Sequence, residues 1–198
     1  MRLNWRTFLP VFYLSYSAFA LWPIPRTLQT GTTLLKLSPN FRIEVDGISH
    51  SPQDLLDAVS RTNTHLQSDK LQRLVVGRGS SDQAKLVNAP SLAKLTLSLT
   101  SPTLGSVRSI MEEATKAIGS RSESYSLVVP SSNSGIATII ANSTLGLFRG
   151  LTTFEQLWYD DSSGVTYTYQ APVTISNDSP AYVSVEITHY LYASDPHI

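Results

Sequence analysis

The most regular apolar pattern in the chain runs from residue 125 to residue 158. Tyr125, Leu127 and Val129 alternate with Ser126 and Val128, Pro130 to Gly135 is a cluster of turn formers, and Ile136 to Ala141 is a second β-rich run. Together these predict an antiparallel hairpin. A helix is predicted next, because Leu145, Phe148, Leu151 or Thr152, Phe154 or Glu155, and Trp158 repeat at helical spacing. Gly146 and Gly150 lie four apart on that helix. Each costs about 1 kcal/mol relative to alanine, and close approach of the helix to a sheet would offset it.

Upstream, Thr33 to Leu37 and Phe41 to Val45 read as two strands, the second with Phe41, Ile43 and Val45 alternating with Arg42 and Glu44 and closed by the turn Asp46-Gly47. Ser51-Pro52-Gln53-Asp54 is a helix start, with Ser51 as cap, Pro52 at the first helical position and Asp54 in the first turn. Leu55, Val59, Thr62 and Leu66 then share one face. Asp69 to Gly79, with Leu71, Leu74, Val75 and Val76, fits a helix turn or a strand equally. Leu95, Leu97 and Leu99 alternate as a strand, and Ile110 to Ile118 reads as a helix stopped by Gly119. Tyr167 to Ala171 and Val173 to Ser176 are late strands with Pro172 between them. This order predicts an α+β, two-layer fold: a largely antiparallel sheet with helices packed on one face.

The two chain ends read differently. Arg2 and Arg6 precede an apolar stretch from Phe8 to Phe19, and Ala18-Phe19-Ala20 fits the small-x-small cleavage rule. A signal peptide over residues 1–20 is therefore expected, cut between Ala20 and Leu21. The stretch of about 12 apolar residues is too short to cross ~30 Å of hydrocarbon. Leu21-Trp22-Pro23-Ile24-Pro25-Arg26 should lie extended on the surface, since two prolines remove two amide donors. Asn142-Ser143-Thr144 and Asn177-Asp178-Ser179 are N-glycosylation sequons in keeping with secretion; Asn142 also sits where a helix cap, or the neighbour of one, belongs.

Composition narrows the function classes. Fifteen basic residues balance 15 acidic ones, so no electrostatic case exists for nucleic acid or an anionic membrane. Charged residues make up 15% and apolar ones 41%, enough for a packed core beneath a surface rich in Ser, Thr and Asn. The chain has no cysteine, which excludes disulfides, thiol catalysis and cysteine-held zinc.

Four stretches resemble the N-terminal domain that precedes the barrel in glycoside hydrolase family 20, the β-N-acetylhexosaminidases, and in particular their secreted fungal members. Leu21-Trp22-Pro23-Ile24-Pro25 is similar to the opening of the eukaryotic members, and Glu123-Ser124-Tyr125-Ser126-Leu127 to a Glu-Ser-Tyr-x-Leu strand. The run from Ala141 to Leu157, with Gly146, Arg149-Gly150-Leu151, Thr153-Phe154 and Gln156-Leu157, resembles the family's Gly…Arg-Gly-Leu-x-Thr-Phe-x-Gln-Leu helix. Asp178-Ser179-Pro180-Ala181-Tyr182 resembles the linker into the first barrel strand. The resemblance implies a zincin-like, non-catalytic domain over 21–182 whose partner is a catalytic barrel, with a second copy of the chain as an additional candidate partner and no cofactor. Residues 183–198 look unlike the family, and the expectation is that they form a divergent tail where the barrel of ~250 residues would begin.

The family's chemistry, in which the substrate's acetamide attacks and a Glu beside an Asp protonates the leaving oxygen, calls for an Asp-Glu dipeptide. None is present, and no position matches the family's substrate-holding Arg, so the chain is expected to be inactive alone. The acidic doublets Glu112-Glu113 and Asp160-Asp161 read as solvated surface, and His50, His65, His189 and His197 have no metal-ligand spacing. Gly77-Arg78-Gly79 lacks the lysine of a phosphate loop and reads as a turn. Trp158, Tyr159, Tyr167 and Tyr169 offer sugar-stacking faces for an alternative role as a stand-alone carbohydrate-binding module, but core packing is the favoured reading of them.

Overall fold

The hairpin forms as its alternation requires. In the computed structural model, which describes residues 21–68, 78–101, 107–133, 135–161 and 163–178, Tyr125–Val129 (β3) pairs antiparallel with Gly135–Ala141 (β4). Tyr125, Leu127, Val129, Ala137, Ile139 and Ala141 all turn into the core. Val128, Ile136 and Ile140 remain exposed on the opposite face. The residue period of two thus separates a buried side from an open one.

The two upstream strands are one. Leu28–Asp46 (β1) runs unbroken through Ser38-Pro39-Asn40, and Gly47, with φ of +71°, ends it. Pro39 is accommodated by a register slip against Ser91–Leu99 (β2), between Leu37 and Arg42. The break at a proline therefore becomes an irregularity instead of a chain turn. The late strands merge in the same way into Thr166–Asp178 (β6), which passes through Pro172. Opposite it, β1 slips register between Thr30 and Thr33. Gly31 lies there so close to β6 that a Cβ would sit 2.4 Å from the Ala171 carbonyl oxygen, so the approach requires glycine.

The strands form one sheet in the order β1-β2-β4-β3-β6-β5, β5 being the two-residue strand Tyr159–Asp160 that alternation is too short to reveal. The first half of β1 pairs with β6 and the second half with β2, so the pairings close into a ring through β1. The α+β class holds, and four of the six pairings are antiparallel. However, β2 is parallel to both of its neighbours, an orientation that local sequence does not encode because it depends on the crossover connections.

Four helices complete the described residues: Gln53–Ser68 (α1), Arg78–Leu86 (α2), Ile110–Ala114 (α3) and Thr144–Glu155 (α4). On α1 the buried positions are Leu55, Ala58, Thr62 and Leu66; Val59 is only half buried. Pro52 stands one residue before this helix, its carbonyl accepting from the Leu55 and Leu56 amides. The helix expected over 110–118 stops after five residues, and Ile118, 83% exposed, opens a separate 3-10 turn. With no apolar partner for Ile118, a further turn has nothing to hold it. Arg78 and Gly79 begin α2 and are not a turn; residues 69–77, including Leu71, Leu74, Val75 and Val76, lie outside the described residues, as do residues 1–20 and 179–198. The start of the described chain is also less superficial than two prolines suggest: Leu21 and Pro25 are buried, while Trp22 and Ile24 are exposed.

Candidate functional site

The α4 helix is where most of the distinctive sequence is used. Its cap is Ser143, which accepts from the Gly146 amide at 3.1 Å and donates to the Ser122 carbonyl; Asn142 is the exposed neighbour of the cap. Thr144, fully buried, donates to the Arg108 carbonyl at 2.8 Å. Gly146 and Gly150 face the hairpin. A Cβ on Gly146 would meet the Ser124 carbonyl oxygen at 2.6 Å, and one on Gly150 would meet Ile139 Cγ2 at 2.6 Å. The glycines therefore let the helix backbone lie directly on β3 and β4.

The polar side chains of α4 are spent on the same attachment. Arg149 Nε donates to Glu123 Oε2 at 2.9 Å, an ion pair whose acid is buried. Thr153 and the Tyr125 hydroxyl share a buried hydrogen bond of 2.7 Å. Glu155 receives the Thr62 hydroxyl at 3.3 Å and lies 3.1 Å from His65 Nδ1, which ties α4 to α1. Just past the helix, Gln156 holds the main chain of Trp22. Phe154 stacks on Phe41 at 6.1 Å and tilts against Trp158 at 5.4 Å, joining the helix to the core.

Neither acidic doublet is simply a solvated surface. Glu112 is exposed and completes the capping box of α3, accepting from the Ser109 amide at 2.8 Å. Hydrogen bonds from the Ser109 backbone and side chain hold its carboxyl below the usual carboxylate range. Glu113 is buried and takes Lys116 Nζ at 2.6 Å. Asp160 and Asp161 are buried as well. Burial pushes the Asp161 carboxyl up, but the Ser163 hydroxyl and the Val165 and Ser163 amides all donate to it and together hold it below its ordinary value. Solvation holds for Glu112 but fails for Glu113, Asp160 and Asp161; Glu113 and Asp161 are buried because they satisfy a cation and nearby backbone and hydroxyl donors that composition does not show. All three of Glu112, Glu113 and Asp161 thus serve caps, pairs and a loop.

No other chemistry assembles among the described residues. His50 is exposed, His65 pairs with Glu155, and no cluster of three metal-ligating side chains occurs among them; His189 and His197 lie outside them. Trp158 and Tyr167 are fully buried, Tyr167 donating to Asp82 at 3.0 Å. Tyr159 packs against Tyr167 at 6.1 Å and against Tyr169 at 5.4 Å. The four aromatics thus serve packing, as favoured from sequence. A cleft of about 470 Å³ beside Lys36, Phe41, Leu66 and Val165 has no carboxylate among its described lining residues, and Lys36 Nζ there is engaged by the Leu86 and Val87 carbonyls. No described helix is long and apolar enough to cross a membrane. Sequence reasoning missed Arg149, Gln156 and Glu123 as fastenings; the signal was their place within the motif run, which gave identity without role.

Comparison with known proteins gives the context for this helix. The sequence model of the family described as "beta-acetyl hexosaminidase like" matches residues 21–157. The chain is 31% identical over 170 residues to the beta-hexosaminidase subunit beta of Mus musculus, and 33% identical over 169 residues to that of Rattus norvegicus. Each match covers 82% of this chain but 27% of the relative, so the chain spans about a quarter of the length of these proteins. Among solved structures, the chitobiase of Flavobacterium johnsoniae superposes with a TM-score of 0.52 at 23% identity, over 80% of this chain and 20% of that one, which shows a shared fold.

Proposed function

Since the chain belongs to the beta-acetyl hexosaminidase-like family, the N-terminal domain of glycoside hydrolase family 20, we propose that it is a non-catalytic domain that supports a β-N-acetylhexosaminidase barrel. That barrel would remove terminal N-acetylhexosamine from chito-oligosaccharides or glycans. The observation that carries the reading is the use of the motif helix: Gly146, Arg149, Gly150, Thr153 and Gln156 all go to internal packing and fastening. A domain that spends its most distinctive residues on fastening its own helix fits a supporting role. Its partner would be the barrel, and a second copy of the chain is a further candidate partner. Entry to the secretory route, with cleavage between Ala20 and Leu21, is part of the proposal and is supported by the Ala18-Phe19-Ala20 pattern.

The test has two arms. The purified chain should release nothing from a chromogenic N-acetyl-β-hexosaminide, and appreciable turnover would overturn the non-catalytic reading. Placed ahead of a hexosaminidase barrel, it should raise the soluble yield of that barrel; an unchanged yield would count against support. Of the aromatic candidates for the carbohydrate-binding alternative, Trp158 and Tyr167 are fully buried, and Tyr159 and Tyr169, both half-buried, pack against each other. Calorimetry with chito-oligosaccharides should accordingly show no saturable binding.

A further inference from the structure

Asn142, Ser143 and Thr144 form an acceptor sequon whose three side chains have divided fates. Asn142 is exposed at the bend between β4 and α4. Ser143 is buried, accepting from Gly146 and donating to Ser122. Thr144, whose hydroxyl the sequon requires, is fully buried and donates that hydroxyl to the Arg108 carbonyl at 2.8 Å. The hydroxyl cannot serve two acceptors at once, and no part of it is accessible in the folded domain. The amide that would carry a sugar is therefore outside, while the group that licenses its modification is locked inside.

We infer that Asn142 is an N-glycosylation site that is modified only before the domain folds. This rests on the secretory entry proposed above. Asn142 Nδ2 attacks the anomeric carbon of a lipid-pyrophosphate-linked oligosaccharide. The carbon–nitrogen bond forms, the bond from the anomeric carbon to the pyrophosphate oxygen breaks, one amide proton is lost, and the lipid pyrophosphate leaves. Folding then buries Thr144 at the start of α4, with its hydroxyl on the Arg108 carbonyl, and leaves the glycan in solvent. Because Asn142 is outside the core, the modified chain reaches the same fold.

The experiment separates the site from the entry route. The full chain, carrying a proven cleavable leader ahead of Met1, is translated with microsomes, so that entry does not depend on residues 1–20. Peptide mass spectrometry after enzymatic deglycosylation should find Asn142 converted to Asp, and Asn142→Gln should lose one glycan's worth of mass while Asn177→Gln leaves that glycan in place. An unmodified Asn142 in protease-protected chain overturns the proposal. If the same chain without the added leader stays protease-accessible, the secretory reading fails while the acceptor property stands on the first arm. For timing, unglycosylated folded chain and urea-unfolded chain are each diluted into solubilised oligosaccharyltransferase with lipid-linked donor. The folded chain should react slower by at least about a thousandfold, the scale of its opened population. Equal rates would overturn the claim that folding locks the site.

Discussion

Gln156 grips Trp22 by both of its main-chain groups: the Trp22 amide donates to Gln156 Oε1 at 2.6 Å, and Gln156 Nε2 donates to the Trp22 carbonyl at 3.0 Å. The two residues are 134 positions apart. One amide side chain thus replaces the strand neighbour that this proline-flanked segment cannot have. Leu21, 5% exposed, enters the core beside it, so the clamp ties the start of the described residues to the end of α4. Gln156→Ala should cost about 1 to 2 kcal/mol and speed proteolysis near Trp22. Gln156→Glu keeps the acceptor but loses the Nε2 donor, and should fall between. Urea melts together with limited proteolysis measure both; equal resistance in all three chains would show that the clamp does not restrain the segment.

Gly146→Ala and Gly150→Ala invert the usual helix rule. Propensity alone favours alanine by about 1 kcal/mol. At Gly146, however, the new Cβ meets backbone, 2.6 Å from the Ser124 carbonyl oxygen, and at Gly150 it meets Ile139. The helix must lift from the sheet, an overpacking cost of about 1 to 3 kcal/mol. Both variants should therefore be destabilised in thermal melts, and Gly146→Ala more so because a carbonyl cannot rotate aside. At Gly119 a Cβ meets nothing within 4 Å, and Gly119→Ala should be close to neutral.

The Arg149–Glu123 pair is predicted to couple α4 to the start of β3. Glu123 is 10% exposed and Arg149 30%. Arg149→Met removes the guanidinium from a buried carboxylate, and should cost about 2 kcal/mol, below the ~3–5 kcal/mol of a fully buried pair. Adding Glu123→Gln should recover part of that loss, since a neutral amide needs no counter-charge. A double-mutant cycle reads the coupling; strictly additive losses would mean that the two side chains act independently.

How far the sequence could be read depended on how local the signal was. The β3–β4 hairpin and α1 and α4 follow from periodicity within a single element, so Tyr125, Leu127, Leu55 and Leu151 were placed correctly. Strand lengths were not legible: the gap between Leu37 and Phe41, which holds Pro39, and Pro172 between the late runs read as breaks, yet shifts in register absorb them, and Gly31 is the visible trace of one such accommodation. The burial of Glu113 and Asp161 was not legible, because Lys116 and the amides of Ser163 and Val165 satisfy them through geometry that spacing alone does not reveal. The direction of β2 was hidden for the same reason, since it is a property of the assembled sheet. Motif resemblance located α4 and its family but left the roles of Arg149 and Gln156 blank, which only their partners Glu123 and Trp22 supply.

Acid should weaken the fold in a way that identifies Asp161. Its carboxyl is held below the ordinary value of 3.8 in the folded chain. Above about pH 5 both folded and unfolded chains carry the charge, and the stabilising hydrogen bonds are fully present. As pH falls through 3.8 the unfolded chain takes up a proton first, so stability drops until the folded carboxyl is also protonated. Glu44, lowered first by its hydrogen bond from Arg42 and then by that from Lys94, adds a loss of the same sign beginning near its own ordinary value of 4.5. Glu112, lowered by its hydrogen bonds from Ser109, adds a third loss of the same sign that salt leaves in place and that Asp161→Asn does not touch. Salt separates Glu44 from these two. At about 1 M salt the Debye length is about 3 Å, which weakens the exposed pairing of Glu44 with Arg42 and Lys94 but leaves the hydrogen bonds inside the Asp161 loop. Asp161→Asn should cost about 1 kcal/mol at neutral pH and flatten the acid limb even in high salt, because an amide has no proton to take up. If thermal melts from pH 7 to pH 2 in high salt keep the same acid slope in wild type and Asp161→Asn, the loop carboxylate does not contribute as its hydrogen bonds require.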